Sequence, residues 1–356
     1  MKAWRLERLG GTLTLADVTV PEARPGSVLV RIQAIPLLSY FKEYIEGKLP
    51  GYSQPPGPFT PGTNGNGVIE AVGRDVWHLK PGERVVISPL LFAGENVADP
   101  SQILIGLTTL DARSAAMQAD WRDGTLAEYA LAPASTITPA EGLDSFSAAQ
   151  LAVLSRFSVP FGGLLRGRLA AGETLVVNGA TGAYGTAAVL LGVAKGAARV
   201  VAAGRNEAAL KEVARAGGNR VVPVKLTGSV RDDAAALRAA AGGGAQIAFD
   251  IVGQATDANS TLAALHSLHR GGRLVLMGSM TTPLPLSYGD MMRNDWEIIG
   301  HFMYPAGAYR RLLGLLRAGL LDISPIRPII FPLGALREAA EAAAKASNLE
   351  CVVIEL

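Results

Sequence analysis

The chain has 356 residues, 49% hydrophobic and 18% charged, with 41 glycines and a formal net charge of +2. It is long enough for two domains of ordinary size and too apolar for disorder, and its scattered, near-balanced charge argues against nucleic-acid binding. No apolar run reaches the ~18 residues of a membrane span, and Met1 to Gly11 lack the apolar core of a secretion signal, so the expectation is a cytoplasmic protein with no membrane partner and a small-molecule ligand.

Up to residue 135 the chain reads as β-rich, with strands expected over 28–34, 67–72, 84–88 and 127–131 and Pro-Gly corners at Pro61-Gly62 and Pro81-Gly82. Residues 92–122 are mixed in character and show no strand alternation, which suggests an excursion. From about Ser145 apolar runs alternate with helical patterns, the mark of βαβ units around a parallel sheet. Strands are expected over 174–178, 199–203, 220–224, 246–252, 273–278 and 297–302, with helices over 186–195, 207–216 and 255–269. The tail has helical stretches over 308–318 and 333–346 and strands over 327–331 and 351–355. It either returns to complete the first domain or forms an appendage. The economical division is 1–135 with 303–356 around an inserted 136–302.

Cys351 is the single cysteine, placed in an apolar strand, and with His78, His266, His269 and His301 as the four histidines the chain has few donors for a zinc site and none for a disulfide framework.

The strongest local signal is Val176-Val177-Asn178-Gly179-Ala180-Thr181-Gly182-Ala183-Tyr184-Gly185, an apolar strand running through small residues into a helix. Small residues let the backbone approach a pyrophosphate, and the helix start offers unpaired N–H groups. The fingerprint is Ala-x-Gly-x-x-Gly, with Ala180 in place of the first glycine. The next strand ends at Gly204-Arg205-Asn206, where an adenosine ribose should lie. Arg205 there, with no acidic side chain expected to repel it, favours the 2′-phosphate of NADP(H) over the ribose hydroxyls of NAD(H); the bland reading is a solvated surface arginine.

With these features in order, the chain resembles the medium-chain dehydrogenase/reductase superfamily, and within it the zinc-independent, quinone oxidoreductase-like branch. The resemblance runs through Ala34-Ile35-Pro36, Gly47, the stretch from Pro61 to Gly73, Pro81 to Val86, Gly124 to Tyr129, Gly172 to Val177, Phe249 to Gly253 and Gly271 to Gly278. It implies an α/β fold, a Rossmann doubly wound parallel sheet inserted into a GroES-like β-barrel domain. It also implies a homodimer joined near Arg273 to Leu286. Ile251, Val252, Met277, Gly278, Ser279, Gly300 and His301 would lie near the nicotinamide, although His301 can equally be read as a packed strand residue.

Zinc-containing members hold the catalytic metal with a Cys, a His and a second Cys at positions that match Leu38, Thr63 and Ser155 here, and these cannot supply thiolate or imidazole. The structural-zinc lobe of such members would fall within 92–122, which has no cysteine. Tyr40, two residues after Leu38, stands where those members begin a proton relay, and is the candidate proton donor; the alternative is an aromatic packed with Phe41 and Tyr44. Where many quinone reductases carry Asn, Asp and Tyr, this chain has Leu38, Phe41 and Glu43. The expected activity is NADPH-dependent hydride transfer to an activated C=C or C=O bond of a small hydrophobic quinone, enone or carbonyl compound. The alternatives are a zinc-free carbonyl reductase or alcohol dehydrogenase acting on ketones, and a non-catalytic NADPH-binding protein.

Overall fold

Continuous apolar runs such as Leu175-Val176-Val177 can be buried only where both faces of a sheet are covered. The computed structural model, which describes residues 1–93 and 96–356, buries all three completely. Two units are distinguished by their internal packing: Met1–Ser155 with Ile326–Leu356, and Arg156–Pro325.

In the second unit six strands form a parallel sheet: β11 (Thr174–Asn178), β12 (Arg199–Gly204), β13 (Val221–Lys225), β14 (Ala245–Asp250), β15 (Leu268–Leu276) and β16 (Glu297–Gly300), in the order β13-β12-β11-β14-β15-β16. The chain leaves the central strand β11 first to one side and then to the other, so a switch point opens between β11 and β14 at their carboxyl ends. Pro223 is tolerated in β13 because that strand is an edge. Helices α4 (Ser155–Arg166), α5 (Ala183–Ala194), α6 (Glu207–Gly217), α7 (Val230–Ala240), α8 (Asn259–His266), α9 (Tyr288–Asn294) and α10 (Ala308–Arg317) surround the strands in sequence. α5 is apolar all round and Ala187, Ala188, Val189 and Leu191 are fully buried, as a helix pressed into a core requires. The helix expected over 255–269 is shorter in the structure: α8 stops at His266 because Leu268 already pairs with Ala245 as the first residue of β15.

In the first unit the strands are β1 (Lys2–Leu6), β2 (Leu13–Asp17), β3 (Ser27–Pro36), β4 (Gly65–Val72), β5 (Arg84–Ile87), β6 (Leu90–Phe92), β7 (Gln102–Leu104), β8 (Thr108–Thr109), β9 (Tyr129–Pro133), β10 (Ile137–Pro139), β17 (Arg327–Pro332) and β18 (Glu350–Glu355). The main sheet runs β10-β5-β4-β3-β18-β17 with β9 also on β3, and β18 joins β3 antiparallel. Helices α1 (Phe41–Ile45), α2 (Ala115–Asp120), α3 (Ala148–Ala152) and α11 (Leu336–Lys345) belong here. The 92–122 excursion does contain strands: β6, β7 and β8 form a small antiparallel sheet whose Leu91, Ile103 and Ile105 pack with Met117 and Trp121. Strands of two or three residues are too short to show a period of two.

The interval 136–155 packs with the first unit and 303–325 with the second. One helical stretch, Ala148–Arg166, passes the length and hydropathy of a membrane span, contrary to the sequence expectation, yet 72% of its apolar window is buried inside the protein. That is how a core helix behaves: Gly163 and Gly167 face Phe249 and Ile247 so closely that a Cβ would stand 2.4 and 2.6 Å from them.

Candidate functional site

The loop between β11 and α5 is shaped by two glycines. Gly179 has φ +85, a left-handed conformation that side chains resist, and it is the residue just before the fingerprint Ala180-x-Gly182-x-x-Gly185. A Cβ on Gly185 would stand 2.0 Å from the Gly179 carbonyl oxygen, so the first turn of α5 can lie against the loop only with glycine there. Ala180 is fully buried, while Thr181, Ala183 and Tyr184 are partly open and Gly182 is exposed. Gly182 is the N-cap of α5 and supplies no side-chain cap to the helix N–H groups. An uncapped helix start lined by small residues at the switch point fits a pyrophosphate.

The expected nicotinamide-side residues meet at the same carboxyl edge. The Ile251 N–H donates to the Asn178 carbonyl (3.2 Å), a Cβ on Gly179 would touch Val252 at 3.2 Å, and Gly253 bridges Ser279 in parallel. Gly278 lies so near Val252 that a Cβ would stand 2.1 Å from its carbonyl oxygen. Met277 donates its N–H to Asp250, and His301 donates its N–H to Leu276 at 3.1 Å, following exposed Gly300. The His301 Nε2 is buried with no hydrogen-bond partner among the described residues, and burial followed by the positive charge of Arg166 holds the ring below the ordinary histidine range. A neutral imidazole with an unused nitrogen is suited to an amide or hydroxyl group of a ligand. Asp250 lies in the 249–253 stretch, where the sequence assigned it no role. Its buried carboxylate accepts from Thr261 Oγ1 (2.7 Å), Asn178 Nδ2 (2.8 Å) and the Val252 N–H (3.1 Å), tying the phosphate-loop strand to the 250–253 loop.

At the other end of the cradle a Cβ on Gly204 would meet Thr181 at 3.1 Å, so Arg205 emerges beside the phosphate loop. Arg205 is exposed and makes no ion pair among the described residues. Asn206 uses its side-chain oxygen to cap α6 at the Ala209 N–H (3.1 Å). The expectation that no acid stands here needs correction: Glu207 follows directly and pairs with Lys211 at 2.9 Å and Lys225 at 3.5 Å. It opens the helix expected over 207–216, two residues after Arg205, and only the fold shows which lysines engage it.

The first unit presents phenols. Tyr40 is half-buried at the N-cap of α1, whereas Phe41 and Tyr44 are core residues at 3% and 1% exposure. Tyr44 donates to the Leu107 carbonyl at 2.6 Å, and burial pushes its phenol well above the ordinary range. The Tyr40 ring lies 6.3 Å from that of Tyr52, which in turn packs edge-on against Tyr44 at 5.7 Å. Burial raises the Tyr52 phenol and a hydrogen bond with Tyr40 partly offsets the rise. Tyr52, absent from the sequence expectations, thus completes a phenol pair with Tyr40.

Two family models match: an alcohol dehydrogenase GroES-like domain over residues 24–142 and a zinc-binding dehydrogenase over 183–318. An alcohol dehydrogenase from Moraxella sp. is 32% identical over 302 residues, covering 84% of each chain. The chain belongs to the medium-chain dehydrogenase/reductase superfamily. Human sorbitol dehydrogenase is 26% identical over 345 residues, 96% of this chain and 93% of that one. A thermostable alcohol dehydrogenase from Pyrobaculum aerophilum shares the fold, with a TM-score of 0.77 at 23% identity over 100% of this chain and 99% of that one. The GroES-like domain with a Rossmann-type parallel sheet is the fold of this dehydrogenase/reductase.

One family model is named for zinc, and the residues at the positions that the resemblance matches to its ligands do not suit the metal. Leu38 is an alkyl group, Thr63 donates its hydroxyl to Asn64 Oδ1 (3.3 Å), and Ser155 is a neutral hydroxyl. Among the described residues no three His, Cys, Asp or Glu side chains come together as a metal site. The Moraxella and human relatives are named as alcohol and sorbitol dehydrogenases, so the finer assignment to a quinone oxidoreductase-like branch rests on the residues alone.

Proposed function

We propose that this oxidoreductase binds NADP(H) and transfers hydride to a hydrophobic C=O or activated C=C bond without a protein-bound zinc ion. The observation that carries the reading is the uncapped, glycine-shaped cradle at Gly179–Gly185 with Arg205 at its ribose end. When bound, the nicotinamide supplies a hydride from its C4. Gly182 to Gly185 hold the pyrophosphate through backbone N–H groups, Arg205 holds the 2′-phosphate by charge-assisted bonds, and neutral His301 offers its unused Nε2 to the carboxamide end. Tyr40, oriented by Tyr52, supplies the proton that the reduced oxygen or carbon takes up. Structural neighbours bound to NADP, from Sinorhizobium meliloti, and to NADH, from E. coli, support a nicotinamide cofactor.

The names of the relatives favour a second reading at the substrate end, the interconversion of ketones and alcohols, over quinone or enone reduction. The test is a paired titration with NADPH and NADH followed by nicotinamide fluorescence, repeated with Arg205→Ala, and then a panel of quinones, enones and ketones. Charge-assisted bonds to the phosphate are worth about 1.5–3 kcal/mol, so the variant should weaken NADPH by roughly tenfold to a hundredfold and leave NADH unchanged. Equal binding of both cofactors by the wild type would remove the NADP(H) assignment, and no binding of either would leave a protein without this chemistry.

A further inference from the structure

The NADP(H) reading gives the 2′-phosphate one cation, Arg205, and two lysines gather on Glu207, two residues further along the chain. β12 and β13 run parallel with Gly204 in register with Lys225, and the Leu226 N–H donates to the Gly204 carbonyl at 2.8 Å. Lys225 therefore stands across from the residue that precedes Arg205. Its ammonium does not face open solvent alone: it lies 3.5 Å from Glu207 Oε2, while Glu207 Oε1 takes Lys211 at 2.9 Å. All three side chains are more than half exposed, at 60%, 52% and 68%. The two lysines hold the Glu207 carboxyl below the usual carboxylate range, so it is fully ionised at neutral pH.

This is one carboxylate shared by two lysines, two residues from the Arg205 that would meet a dianionic phosphate. A single charge on Glu207 satisfies two lysines imperfectly, and an exposed pair at 3.5 Å is weak. A phosphate monoester brings more charge and three acceptor oxygens to the same ammonium. We propose, building on the NADP(H) reading, that Lys225 is a second specificity-determining residue for the 2′-phosphate and that Glu207 is its built-in competitor, from which Lys225 transfers when the phosphate binds. Lys211, one helical turn along α6, stays with Glu207 and keeps the carboxylate from facing the phosphate unscreened. NADH brings no phosphate to draw Lys225 away, so the exchange discriminates between the two cofactors.

The test uses fragments that carry the adenosine end alone. The full chain is titrated calorimetrically with adenosine 2′,5′-bisphosphate and with 5′-AMP at low salt, as wild type, Arg205→Ala, Lys225→Ala, Glu207→Gln and the Lys225→Ala/Glu207→Gln double variant. The expected result is that Lys225→Ala weakens the bisphosphate about tenfold without moving AMP, and that Glu207→Gln tightens the bisphosphate by roughly twofold to fivefold. The gain from Glu207→Gln should disappear in the double variant, because the competitor matters only while Lys225 is there to be held. All of these side chains are exposed, so the variants should fold as the wild type does, checked by thermal melting. Bisphosphate binding that survives Lys225→Ala within twofold but is lost in Arg205→Ala overturns this proposal and leaves the NADP(H) reading standing. Equal affinity of the wild type for both fragments overturns both. AMP binding that is lost in Glu207→Gln would also overturn both, since Glu207 would then be holding ribose hydroxyls, as an NADH-preferring site does.

Discussion

Gly185 shows how much a single hydrogen can decide in this protein. Its missing Cβ is what lets α5 start against the Gly179 carbonyl, at a separation of 2.0 Å that no side chain survives. Gly185→Ala should therefore lose roughly 1–3 kcal/mol in urea unfolding and most of its cofactor affinity, since the loop must move. Gly300→Ala, where a Cβ meets nothing within 4 Å, should stay within about 0.5 kcal/mol of wild type. His301 carries a pH signature. Burial and Arg166 hold its folded pKa below the ordinary value of 6.5, so the unfolded chain takes up a proton first as pH falls. This contribution to stability is present above pH 6.5 and is lost as pH falls through the folded pKa, and His301→Gln should flatten that part of the profile. Imidazole titration by NMR should find His301 taking up its proton at a lower pH than an ordinary histidine. Tyr40→Phe should lower kcat by about 10²–10⁴ without changing NADPH binding, and stopped-flow reduction of an active ketone or quinone would read both quantities.

At the scale of elements, the strands of the second unit were legible because each is a local apolar run. β11 occupies the residues expected of it, and the others differ at their ends by a few residues. The helix α7 was not singled out, being Ala-rich with a weakly apolar face, and the two- and three-residue strands β7 and β8 left no period to detect. Elements also depend on partners that no local pattern announces. Arg273 on β15 pairs with Glu173, just before β11, at 2.6 Å and only 15% and 19% exposure, while the Arg273 Nε has no partner among the described residues. Glu173→Ala would leave that guanidinium buried without a counter-charge. A loss of about 2–3 kcal/mol is expected in chemical denaturation, below the value for a wholly buried pair because some solvent reaches it.

For the whole molecule, the donor set makes a clear prediction. Purified protein should carry less than stoichiometric zinc by elemental analysis, and a strong chelator should change neither its melting temperature nor its turnover, because Leu38, Thr63 and Ser155 offer no ligand set. Retained zinc whose removal lowers turnover would sink the zinc-free reading. We also propose a homodimer, supported by β16 as an edge with no further strand among the described residues and by the exposed Leu286, Tyr288 and Met292 in the segment before it, at 45%, 85% and 61% exposure. Light scattering should give twice the chain mass, and Ile298→Pro on that edge should reduce it to one chain.

By itself the sequence determined the fold class, the glycine-rich turn from strand to helix at 179–185 and the side-chain chemistry at positions 38, 63 and 155. Periodicity, glycine placement and side-chain chemistry are properties of neighbouring residues, and no folding turns Leu38 into a thiolate. The tertiary structure decided what depends on register between distant segments. It set β18 on β3, so that the tail joins the first unit, and it set Tyr52 against Tyr40 and Lys225 beside Glu207. It also left the His301 Nε2 buried, with no partner among the described residues. A contact between remote residues follows from how strands slide past one another and how helices seat on them, and a shift of one residue moves a side chain to the opposite face. Chemistry was therefore readable where one segment carries it, and hidden where two must meet.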